Sequence, residues 1–280
     1  MTIYVVIPTF NRIKQLSELL SDLQYQEDCQ VPVEICVVND ASTDSTSAVL
    51  EHIEHINVIA TRGNRWWPGA INDAIHFLKN NRSIRQDDFI LLLNDDTRLP
   101  PNYLSELMSI ASCLGPQVCI GSMIKDIDTS ELISVGACYN RKKLKITDCI
   151  DKTWQYDNVI ELSLLSGRGT LYPAIEFMSL GKSNEFFTPQ YFADYLISFR
   201  FKQRSYELVT HPNIFVYSDT NFGNMKKFSF LRKYFWRRSS NYVIAKVYFD
   251  LMTIKKPLIL FYPLIVIGKG VWKLRARSKI

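Results

Sequence analysis

Two adjacent carboxylates, Asp95 and Asp96, follow the apolar run Phe89–Leu93 in the stretch Asn94-Asp95-Asp96-Thr97. So apolar a run predicts a buried strand, and two acids that emerge together from its end repel each other unless a cation or strong donors lie between them. Mg²⁺ or Mn²⁺ suits this position, since such ions prefer oxygen ligands and keep coordination sites open for a diphosphate. The alternative is an acidic turn that caps the helix after Pro100-Pro101.

Three other polar positions could act on a ligand. Asp40, in the loop Asn39–Asp44 after a second apolar run, is placed to accept hydrogen bonds from a nucleobase or a ribose, although Asp and Ser are also ordinary turn and N-cap residues. Asp194 lies among aromatic residues at a predicted helix start, which suits either a general base or an N-cap. His211, directly before Pro212, is a candidate metal ligand or a structural histidine.

Aromatic residues, glycines and arginines cluster in two further stretches. Paired tryptophans lie beside glycines and arginines in residues 62–73, where they could form a wall for a sugar or a nucleotide with the arginines facing phosphate. Alternatively, Trp66 and Trp67 are core residues. Residues 166–170 place Arg168 between two glycines, which permits close approach of the backbone to a ligand.

The elements that must position these residues alternate between apolar runs and amphipathic stretches up to about residue 100. We predict strands at Ile3–Ile7, Glu34–Val38, Asn57–Ala60 and Phe89–Leu93. Helices are predicted between 13 and 23, after Ser42, after Pro68 and from Pro101. This alternation is typical of a Rossmann-like α/β fold, in which helices flank a mostly parallel central sheet and ligands bind beyond the carboxyl ends of the strands.

Beyond about residue 118 the apolar runs become shorter, which predicts a smaller mixed sheet. Its predicted strands are Ile133–Gly136, Leu144–Ile146 and Leu162–Leu165. A helix is predicted at Ala193–Arg204, followed by separate strands at Tyr206–Val209 and Ile214–Tyr217.

Charge is divided unevenly along the chain. The 280 residues carry a formal net charge of +5, but residues 225–280 hold 14 Lys and Arg against the single acid Asp250, a local charge of +13 that leaves −8 for residues 1–224. Aromatic residues are interleaved with these cations, and the apolar run Pro257–Ile267 is too short to span a bilayer but can lie among headgroups. The tail therefore favours an anionic membrane surface over nucleic acid as a partner. The alternative is a helical hairpin packed on the body.

The N-terminus and the cysteines both bear on the cellular compartment. Residues 3–7 form a strand-like start without a basic n-region or a long apolar h-region, so we predict no signal peptide and a cytosolic protein. The 6 cysteines form no Cys-x-x-Cys pair and no Cys/His metal spacing, from which we expect reduced thiols. With 22% charged residues and no low-complexity tract, collagen-like and broadly disordered classes are excluded.

Taken in order, the motifs resemble those of family 2 glycosyltransferases with the GT-A fold. The resemblance rests on Val-Val-Ile-Pro-Thr-Phe-Asn-Arg at residues 5–12, Val-Val-Asn-Asp-Ala-Ser-Thr-Asp at 37–44, Asn-Asp-Asp at 94–96 and Phe-Ala-Asp-Tyr at 192–195, with Arg200 downstream. It covers about residues 1–220. Residues 66–72 and 166–173 are similar to bacterial members of the family that build surface polysaccharides.

The resemblance implies a metal-dependent glycosyltransferase that inverts the anomeric centre in one displacement. Asp40 would contact the base of a nucleoside-diphosphate sugar, the acid pair would position Mg²⁺ or Mn²⁺ on its diphosphate, and Asp194 would deprotonate the acceptor hydroxyl. The expected donor-side residues are Pro8, Thr9, Asn11, Arg12, Asp40, Arg62, Asn64, Trp67, Gly69, Asn72, Asn94 and Asp95. The expected acceptor-side residues are Gly167, Arg168, Gly169 and Tyr195. The expected metal ligands are Asp95, Asp96 and His211.

The resemblance and the charge pattern together imply how the chain is organised. Residues 1–224 would form the GT-A catalytic domain, with about 1–100 binding the nucleotide sugar and about 101–224 the acceptor, while 225–280 would form a basic helical extension that associates with the membrane. We expect one sugar per encounter, because no Gln-x-x-Arg-Trp motif occurs near residues 231–238. The expected partners are a UDP- or dTDP-linked sugar, a lipid-linked saccharide acceptor and the inner face of the plasma membrane.

Two other functions fit parts of the pattern. A sugar-nucleotide pyrophosphorylase shares the sheet, the metal and the ligand class, but it needs a glycine-rich phosphate loop directly after the first strand, where this chain has Thr9-Phe10-Asn11-Arg12. A non-catalytic, membrane-attached nucleotide-sugar-binding protein would bind the donor without hydrolysis or transfer.

Overall fold

The computed structural model describes residues 1–150, 158–219, 234–237, 239 and 241–254. Its strands are β1 (Ile3–Thr9), β2 (Val33–Asn39), β3 (Ile56–Ala60), β4 (Phe89–Leu92), β5 (Thr97–Arg98), β6 (Val118–Asp126), β7 (Leu132–Ser134), β8 (Ala137–Asn140), β9 (Lys145–Asp148), β10 (Ile160–Glu161), β11 (Thr170–Pro173) and β12 (Glu207–Ser218). Its helices are α1 (Ile13–Gln24), α2 (Thr46–Leu50), α3 (Trp66–Asn81), α4 (Tyr103–Leu114), α5 (Ala174–Ser179), α6 (Ala193–Gln203) and α7 (Val243–Thr253).

Within the described ranges, ten strands form one mixed sheet in the order β10-β12-β6-β11-β4-β1-β2-β3, with β5 beside β12 and β7 beside β6. The strands β1 to β4 are parallel, and β12 is parallel to β6, whereas β11 runs antiparallel between β4 and β6. The strands β8 and β9 form a separate antiparallel pair. The predicted fold class is therefore confirmed: helices flank a mostly parallel central sheet, and a small second sheet accompanies it.

Both faces of the central sheet are buried, because successive side chains of a strand point to opposite sides. In β1, Ile3, Val5 and Ile7 belong to one core layer, while Tyr4 and Val6 belong to the other. The helices α1, α2 and α4 cover the first layer, and α3, α5 and α6 cover the second. Helix α1 packs through a stripe at helical spacing that consists of Leu16, Leu19, Leu20 and Leu23.

One long strand replaces two predicted ones in the second half of the sheet. The sequence predicts separate strands at Tyr206–Val209 and Ile214–Tyr217, whereas the structure has the single strand β12. Its register against β6 shifts between Thr210 and Phe215, on either side of Pro212. Proline has no N–H to donate to the ladder, which accounts for the irregularity at this point. Pairing with β6 resumes at Phe215, so the strand continues beyond it.

The central strands β6 and β11 have no counterpart in the sequence prediction. β11 is only 4 residues long, but all of them are buried between β4 and β6. The predicted strand Leu162–Leu165 is wrong: β10 is Ile160–Glu161, and Leu164 makes an isolated bridge with Ala137. A run as short as β11 is too short to show a periodic hydrophobic pattern. It is a strand because it pairs with β4 and β6 on its two sides.

A disulfide joins Cys138 to Cys149, which corrects the expectation of reduced thiols for this pair. Cys138 lies in β8 and Cys149 directly follows β9, so the antiparallel pairing of the two strands brings their Cα atoms to 5.7 Å. The other cysteines are free. The spacing of 11 residues between the two cysteines matches no common motif, so the pair could not be predicted from the sequence. The pairing of β8 with β9 brings the two residues together.

Part of the C-terminal region packs on the body. Phe249 of α7 belongs to a cluster with Ala137, Leu164, Leu196 and Phe199. The hydroxyls of Thr253 and Tyr139 are hydrogen-bonded at 2.8 Å. The predicted domain boundary at residue 224 and the apolar run Pro257–Ile267 lie outside the described residues. Across the ranges that are described, no helix is long and apolar enough to cross a membrane.

Candidate active site

A cavity of about 1010 Å³ lies at the carboxyl ends of β1, β2 and β4. One side, which we call the carboxyl edge, comes from Pro8, Thr9, Phe10, Arg12, Asp40, Ala41, Thr43, Arg62, Gly63, Asn64, Trp66, Trp67, Ala70, Asn94, Asp95 and Asp96. The other side, which we call the loop wall, comes from residues 133–134, 166–168, 190–192 and 194–195 together with Ile124. The predicted site residues that line the cavity are Pro8, Thr9, Arg12, Asp40, Arg62, Asn64, Trp67, Asn94, Asp95, Asp96, Gly167, Arg168, Asp194 and Tyr195.

Asp95 and Asp96 share one cationic neighbour after the end of β4. Arg12 Nη1 lies 3.1 Å from Asp95 Oδ1 and 2.7 Å from Asp96 Oδ2. Thr9 Oγ1 donates to Asp95 Oδ2 at 2.9 Å. Thr9 ends β1 and Arg12 directly precedes α1, so the parallel pairing of β1 with β4 brings both donors to the acids. A guanidinium thus lies between two carboxylates that would otherwise repel each other.

The surroundings of this pair suit a divalent cation. Burial raises the pKa of Asp95 to about 6, against the opposing effect of the Arg12 charge. Asp96 Oδ1 is buried and has no hydrogen-bond partner. Mg²⁺ and Mn²⁺ prefer oxygen ligands and are commonly held by one or two carboxylates plus substrate phosphates. Among the residues that the structure describes, no cluster of three or more His, Cys, Asp or Glu offers a competing site.

Asp40, after the end of β2, ties the start of α3 to the sheet. Its carboxylate accepts hydrogen bonds from Thr61 Oγ1 at 2.7 Å and from the backbone N–H groups of Arg65 and Trp66 at 3.0 Å. Helix α3 has no local side-chain cap, so Asp40 satisfies its first N–H groups from a distance. The same carboxylate lines the cavity, which keeps it a candidate for contact with a nucleobase.

The two tryptophans at the start of α3 differ in role. Trp67 packs against the core, and its Nε1 donates to Asn94 Oδ1 at 3.0 Å beside the acid pair. Gly167 lies so close to the Trp67 ring that a Cβ there would collide with it. Trp66 has a φ of 58°, which for a bulky residue costs about 1–3 kcal/mol. Both line the cavity, so Trp67 belongs to core and wall alike.

Asp194 lies in the first turn of α6, and Phe192 is the N-cap residue, so the structure contradicts the N-cap alternative for Asp194. Its carboxylate accepts hydrogen bonds from the N–H of Gly167 at 3.1 Å and of Tyr195 at 2.9 Å. Burial raises the pKa of Asp194, while these N–H groups and the nearby Arg168 act to lower it. The result is an oriented carboxyl group with a raised pKa, an arrangement suited to accept a proton.

Asn11 and Asn72, both predicted on the donor side, do not line the cavity. Asn11 Oδ1 accepts a hydrogen bond from the N–H of Thr43 at 2.7 Å, which fixes the turn after β2. Asn72, inside α3, donates to Ser183 O at 3.0 Å and to Glu185 Oε1 at 2.9 Å. The two residues therefore support segments near the cavity without contributing to its surface.

Gly69, Gly169 and His211 also lie off the cavity lining. A Cβ at Gly69 would come within 2.9 Å of Glu185 Oε2, so this glycine makes room for that side chain. Gly169 has a φ of 75°, which favours glycine at the end of its loop. His211 Nδ1 accepts a hydrogen bond from the N–H of Asn213 at 3.2 Å within β12. This placement favours the structural alternative for His211 over metal ligation.

Some lining residues were not among the expected donor-side, acceptor-side or metal residues, although Trp66 was considered as a possible wall residue. They are Phe10, Ala41, Thr43, Gly63, Trp66, Ala70, Ile124, Ile133, Ser134, Ser166, Gln190, Tyr191 and Phe192. Tyr191 lines the same cavity as the acid pair and Asp194; burial raises the pKa of its hydroxyl, and the charges of Arg168, Asp194, Asp96 and Arg12 also act on that pKa. Its position three residues before Asp194 was the available signal. Ile133 and Ser134 have no such signal in the sequence, because only the fold of the second half of the chain brings them to the cavity.

The mostly parallel sheet, covered on both faces, and the acid pair at the carboxyl ends of its strands agree with the GT-A fold that the motifs resemble. Residues 4–160 match Glycosyl transferase family 2, and the chain belongs to this family. Abequosyltransferase RfbV of Salmonella typhimurium is 41% identical over 51 residues, which cover 18% of this chain and 15% of that protein.

Solved structures share the fold at low sequence identity. S. aureus TarS 1-349 in complex with UDP-GlcNAc has a TM-score of 0.53 at 16% identity, over 82% of this chain and 62% of that one. GalNAc-T7 with UDP, GalNAc and Mn²⁺ has a TM-score of 0.64 at 15% identity, over 78% and 43%. The mannosyltransferase PcManGT from Pyrobaculum calidifontis with GDP-Man and Mn²⁺ has 0.56 at 14%, over 80% and 59%. The chain spans less than two thirds of each of these proteins.

Proposed function

We propose that the chain is a metal-dependent, inverting, non-processive glycosyltransferase. It moves a sugar from a UDP- or dTDP-linked donor to a hydroxyl group of a lipid-linked glycan acceptor. One observation carries the proposal: a single cavity contains the acid pair, with an unpartnered carboxylate oxygen on Asp96, and the oriented carboxyl group of Asp194. A cation site for the diphosphate and a base for the hydroxyl are the two groups that this reaction needs.

The acid pair would hold Mg²⁺ or Mn²⁺. When bound, the cation supplies positive charge that neutralises the diphosphate as it departs. Arg12 and Arg62 line the same edge and add guanidinium donors for phosphate oxygens. The relatives support this assignment, since GalNAc-T7 and PcManGT were solved with Mn²⁺ and TarS with UDP-GlcNAc.

Asp194 serves as the general base of the proposed reaction. The acceptor hydroxyl gives its proton to Asp194 while its oxygen forms a bond to the anomeric carbon. The bond from that carbon to the diphosphate breaks, and its electron pair leaves with the nucleoside diphosphate. One displacement inverts the anomeric centre and needs no protein nucleophile. The raised pKa of Asp194 makes its carboxylate a stronger base than an exposed aspartate.

The proposed location of the enzyme is based on the charge pattern, and the proposed acceptor class is based on the resemblance of its motifs. The local charge of +13 in residues 225–280 matches an anionic bilayer, so we place the protein peripherally on the inner face of the plasma membrane. The proposed role in bacterial surface polysaccharide synthesis draws on the sequence resemblance of residues 66–72 and 166–173. Liposome flotation checks the membrane assignment. Binding to anionic vesicles should disappear at high salt. Equally strong binding to neutral vesicles would contradict the electrostatic membrane assignment.

A donor-hydrolysis screen tests the catalytic assignment without knowledge of the acceptor. Nucleotide sugars with different bases are incubated with the full chain in the presence of Mg²⁺, Mn²⁺ or EDTA. Release of nucleoside diphosphate from a UDP- or dTDP-linked sugar, dependent on the metal, is the expected result. Equal release in EDTA contradicts the metal assignment. Binding without turnover would support the non-catalytic alternative, and release of sugar phosphate on addition of inorganic diphosphate would support a pyrophosphorylase.

A further inference from the structure

Exposed aromatic rings beside the cavity meet a cation from the C-terminal region. We call this cluster, which comprises Trp66, Phe186, Phe187, Arg237 and Tyr248, the aromatic rim. Phe186 is 70% exposed and Phe187 is 37% exposed. Arg237 Cζ lies 6.0 Å from the centroid of the Trp66 ring and 5.9 Å from that of Phe186. Since Trp66 also lines the cavity, the rim is continuous with the site.

The loop that carries the two exposed phenylalanines is held by its own polar groups. Asn184 Oδ1 accepts hydrogen bonds from the backbone N–H of Phe186 at 3.1 Å and of Phe187 at 3.0 Å. Glu185 Oε2 pairs with Arg65 Nη1 at 2.7 Å. These bonds fix the backbone of the loop, and the Phe186 ring packs edge-on against the Phe187 ring with centroids 5.1 Å apart, which orients both rings on the surface. Fixed aromatic side chains lose little entropy on binding and make effective contact points.

The rim is supported from both ends. The ring of Tyr248, in α7, stacks on Phe187 with centroids 4.8 Å apart and an angle of 16°. The next residue, Phe249, is buried in the body, which anchors α7 under the rim. At the other end Trp66 keeps its left-handed backbone, and Asp40 binds its N–H at 3.0 Å. Backbone strain of this kind persists where the surrounding structure enforces it and often accompanies a functional position.

The chemistry of the rim selects one class of ligand. Phenyl rings offer apolar area without hydrogen-bonding groups, and Arg237 adds a guanidinium that can bind a phosphate. The two polar residues directly before Phe186, Asn184 and Glu185, already bind the loop itself or the body. A saccharide would need free polar groups around the rings, whereas a hydrocarbon chain linked to a phosphate needs apolar area next to one cation. The rim combines apolar ring area with the cation of Arg237, which is the combination that a hydrocarbon chain linked to a phosphate needs.

We propose that the aromatic rim is the subsite for the lipid portion of the acceptor, a hydrocarbon chain joined to its saccharide through a diphosphate. Phe186 and Phe187 contact the first hydrocarbon units, and Arg237 binds the phosphate. Trp66, which belongs to both rim and cavity, marks the point where the saccharide enters. This inference rests on the proposed function and specifies where its acceptor binds.

Calorimetric titration of the full chain with farnesyl diphosphate tests the proposal. The protein is first saturated with UDP and Mn²⁺, so that the probe's diphosphate cannot bind at the acid pair. Phe186→Ser and Arg237→Gln should each weaken the probe's affinity by about fivefold or more. Tyr25→Ser is the matched control, because the Tyr25 ring is also 70% exposed but lies at the end of α1, and it should leave the affinity unchanged.

Two further probes separate the contributions. Farnesol should lose affinity with Phe186→Ser but not with Arg237→Gln, and inorganic diphosphate should show the reverse. Equal affinity of wild type and both variants for farnesyl diphosphate, or no binding by wild type, overturns the inference. Titration with UDP or dTDP and Mn²⁺ on the same samples keeps the two hypotheses apart. Failure of the wild type to bind either UDP or dTDP with Mn²⁺ contradicts the proposed function, whereas intact nucleoside diphosphate binding with unchanged farnesyl diphosphate affinity contradicts only the lipid subsite.

Discussion

The carboxyl edge and the loop wall enclose one cavity but differ in construction. The carboxyl edge consists of residues directly after β1, β2 and β4, and its polar groups bind each other, as Arg12 binds both acids and Asp40 binds the N–H of Trp66. The loop wall consists of segments from the second half of the fold and combines glycine and aromatic residues around one acid, Asp194.

Under the proposed function, this difference predicts that the carboxyl edge holds the donor and the loop wall the acceptor. A diphosphate is common to all nucleoside-diphosphate sugars, and fixed strand ends can hold the same charges for any of them. Acceptors vary in shape, and loops can change without altering the sheet that carries them. Changes on the carboxyl edge should therefore remove donor turnover, whereas changes on the loop wall should impair transfer and leave donor binding intact.

The largest effect is expected at the acid pair. Asp95→Asn combined with Asp96→Asn removes both negative charges that would hold the cation, so metal-dependent donor turnover should fall by at least about 10³-fold. A coupled assay of nucleoside diphosphate release measures it. Asp87→Asn, an exposed acid before the opposite end of β4, is the control and should keep full turnover. Turnover within tenfold of wild type in the double variant would sink the metal assignment.

On the loop wall, Asp194→Asn should separate transfer from donor binding. Transfer should fall by about 10²-fold to 10³-fold because no base remains, while the affinity for UDP with Mn²⁺ stays unchanged. Asn keeps one acceptor oxygen for the two N–H groups that the Asp194 carboxylate binds, so Tm is measured alongside to confirm that the variant is folded. Asp128→Asn, an exposed acid away from the cavity lining, controls for both readouts. An active variant, or one that no longer binds UDP, contradicts this role.

The pH dependence of transfer follows from the same pKa. A general base must be ionised, so the rate rises with pH as Asp194 loses its proton. Because burial raises that pKa, the acidic limb should lie above the usual range of an aspartate. The Arg168 charge lowers the same pKa, so Arg168→Met should move the limb to higher pH. A limb that stays in place would mean that another group titrates.

The carboxyl edge could be predicted from the sequence because each of its acids directly follows an apolar run. The predicted strands in this half agree with β1 to β4 to within two residues at each end. The parallel order then brings Thr9, Asp40 and Asp95 to one edge without further information. The ion pairs of Arg12 were not predicted in this form, since a side-chain rotamer decides whether a guanidinium faces a ligand or an acid.

The loop wall was predicted far less completely, because distant contacts determine it. The strand β11 is held by β4 and β6, which are remote in sequence, and its 4 residues show no pattern. Cys138 and Cys149 pair only because β8 and β9 do. The exposure of Phe186 is likewise a tertiary property, since phenylalanine side chains are more often buried.

A smaller effect is expected from Arg12, which links the two acids on the carboxyl edge. Arg12→Met leaves two carboxylates that repel each other, so the protein without metal should unfold at a lower temperature. The same repulsion favours a cation, and the Kd for Mn²⁺ should fall by about tenfold. Electron paramagnetic resonance of free Mn²⁺ at about pH 8, where Asp95 is ionised in the wild type, measures it. Arg85→Met, which pairs with acids before the other end of β4, is the control. A weaker affinity would show that Arg12 assists the cation instead of competing with it.

Removal of the disulfide in the β8–β9 hairpin should have the smallest effect on donor binding. Cys138→Ser with Cys149→Ser removes a cross-link that spans 11 residues, which should lower the free energy of unfolding by about 2–3 kcal/mol under oxidising conditions. The hairpin follows Ser134 of the loop wall, and Ser134 Oγ donates to an Asp148 carboxylate oxygen, so transfer should weaken. The carboxyl edge shares no residue with the hairpin, and the Kd for UDP with Mn²⁺ should stay unchanged. Cys113→Ser, at an exposed free cysteine, controls for the substitution itself. A lower affinity for UDP in the double variant would show that the two sides of the cavity are coupled through the sheet and do not act separately.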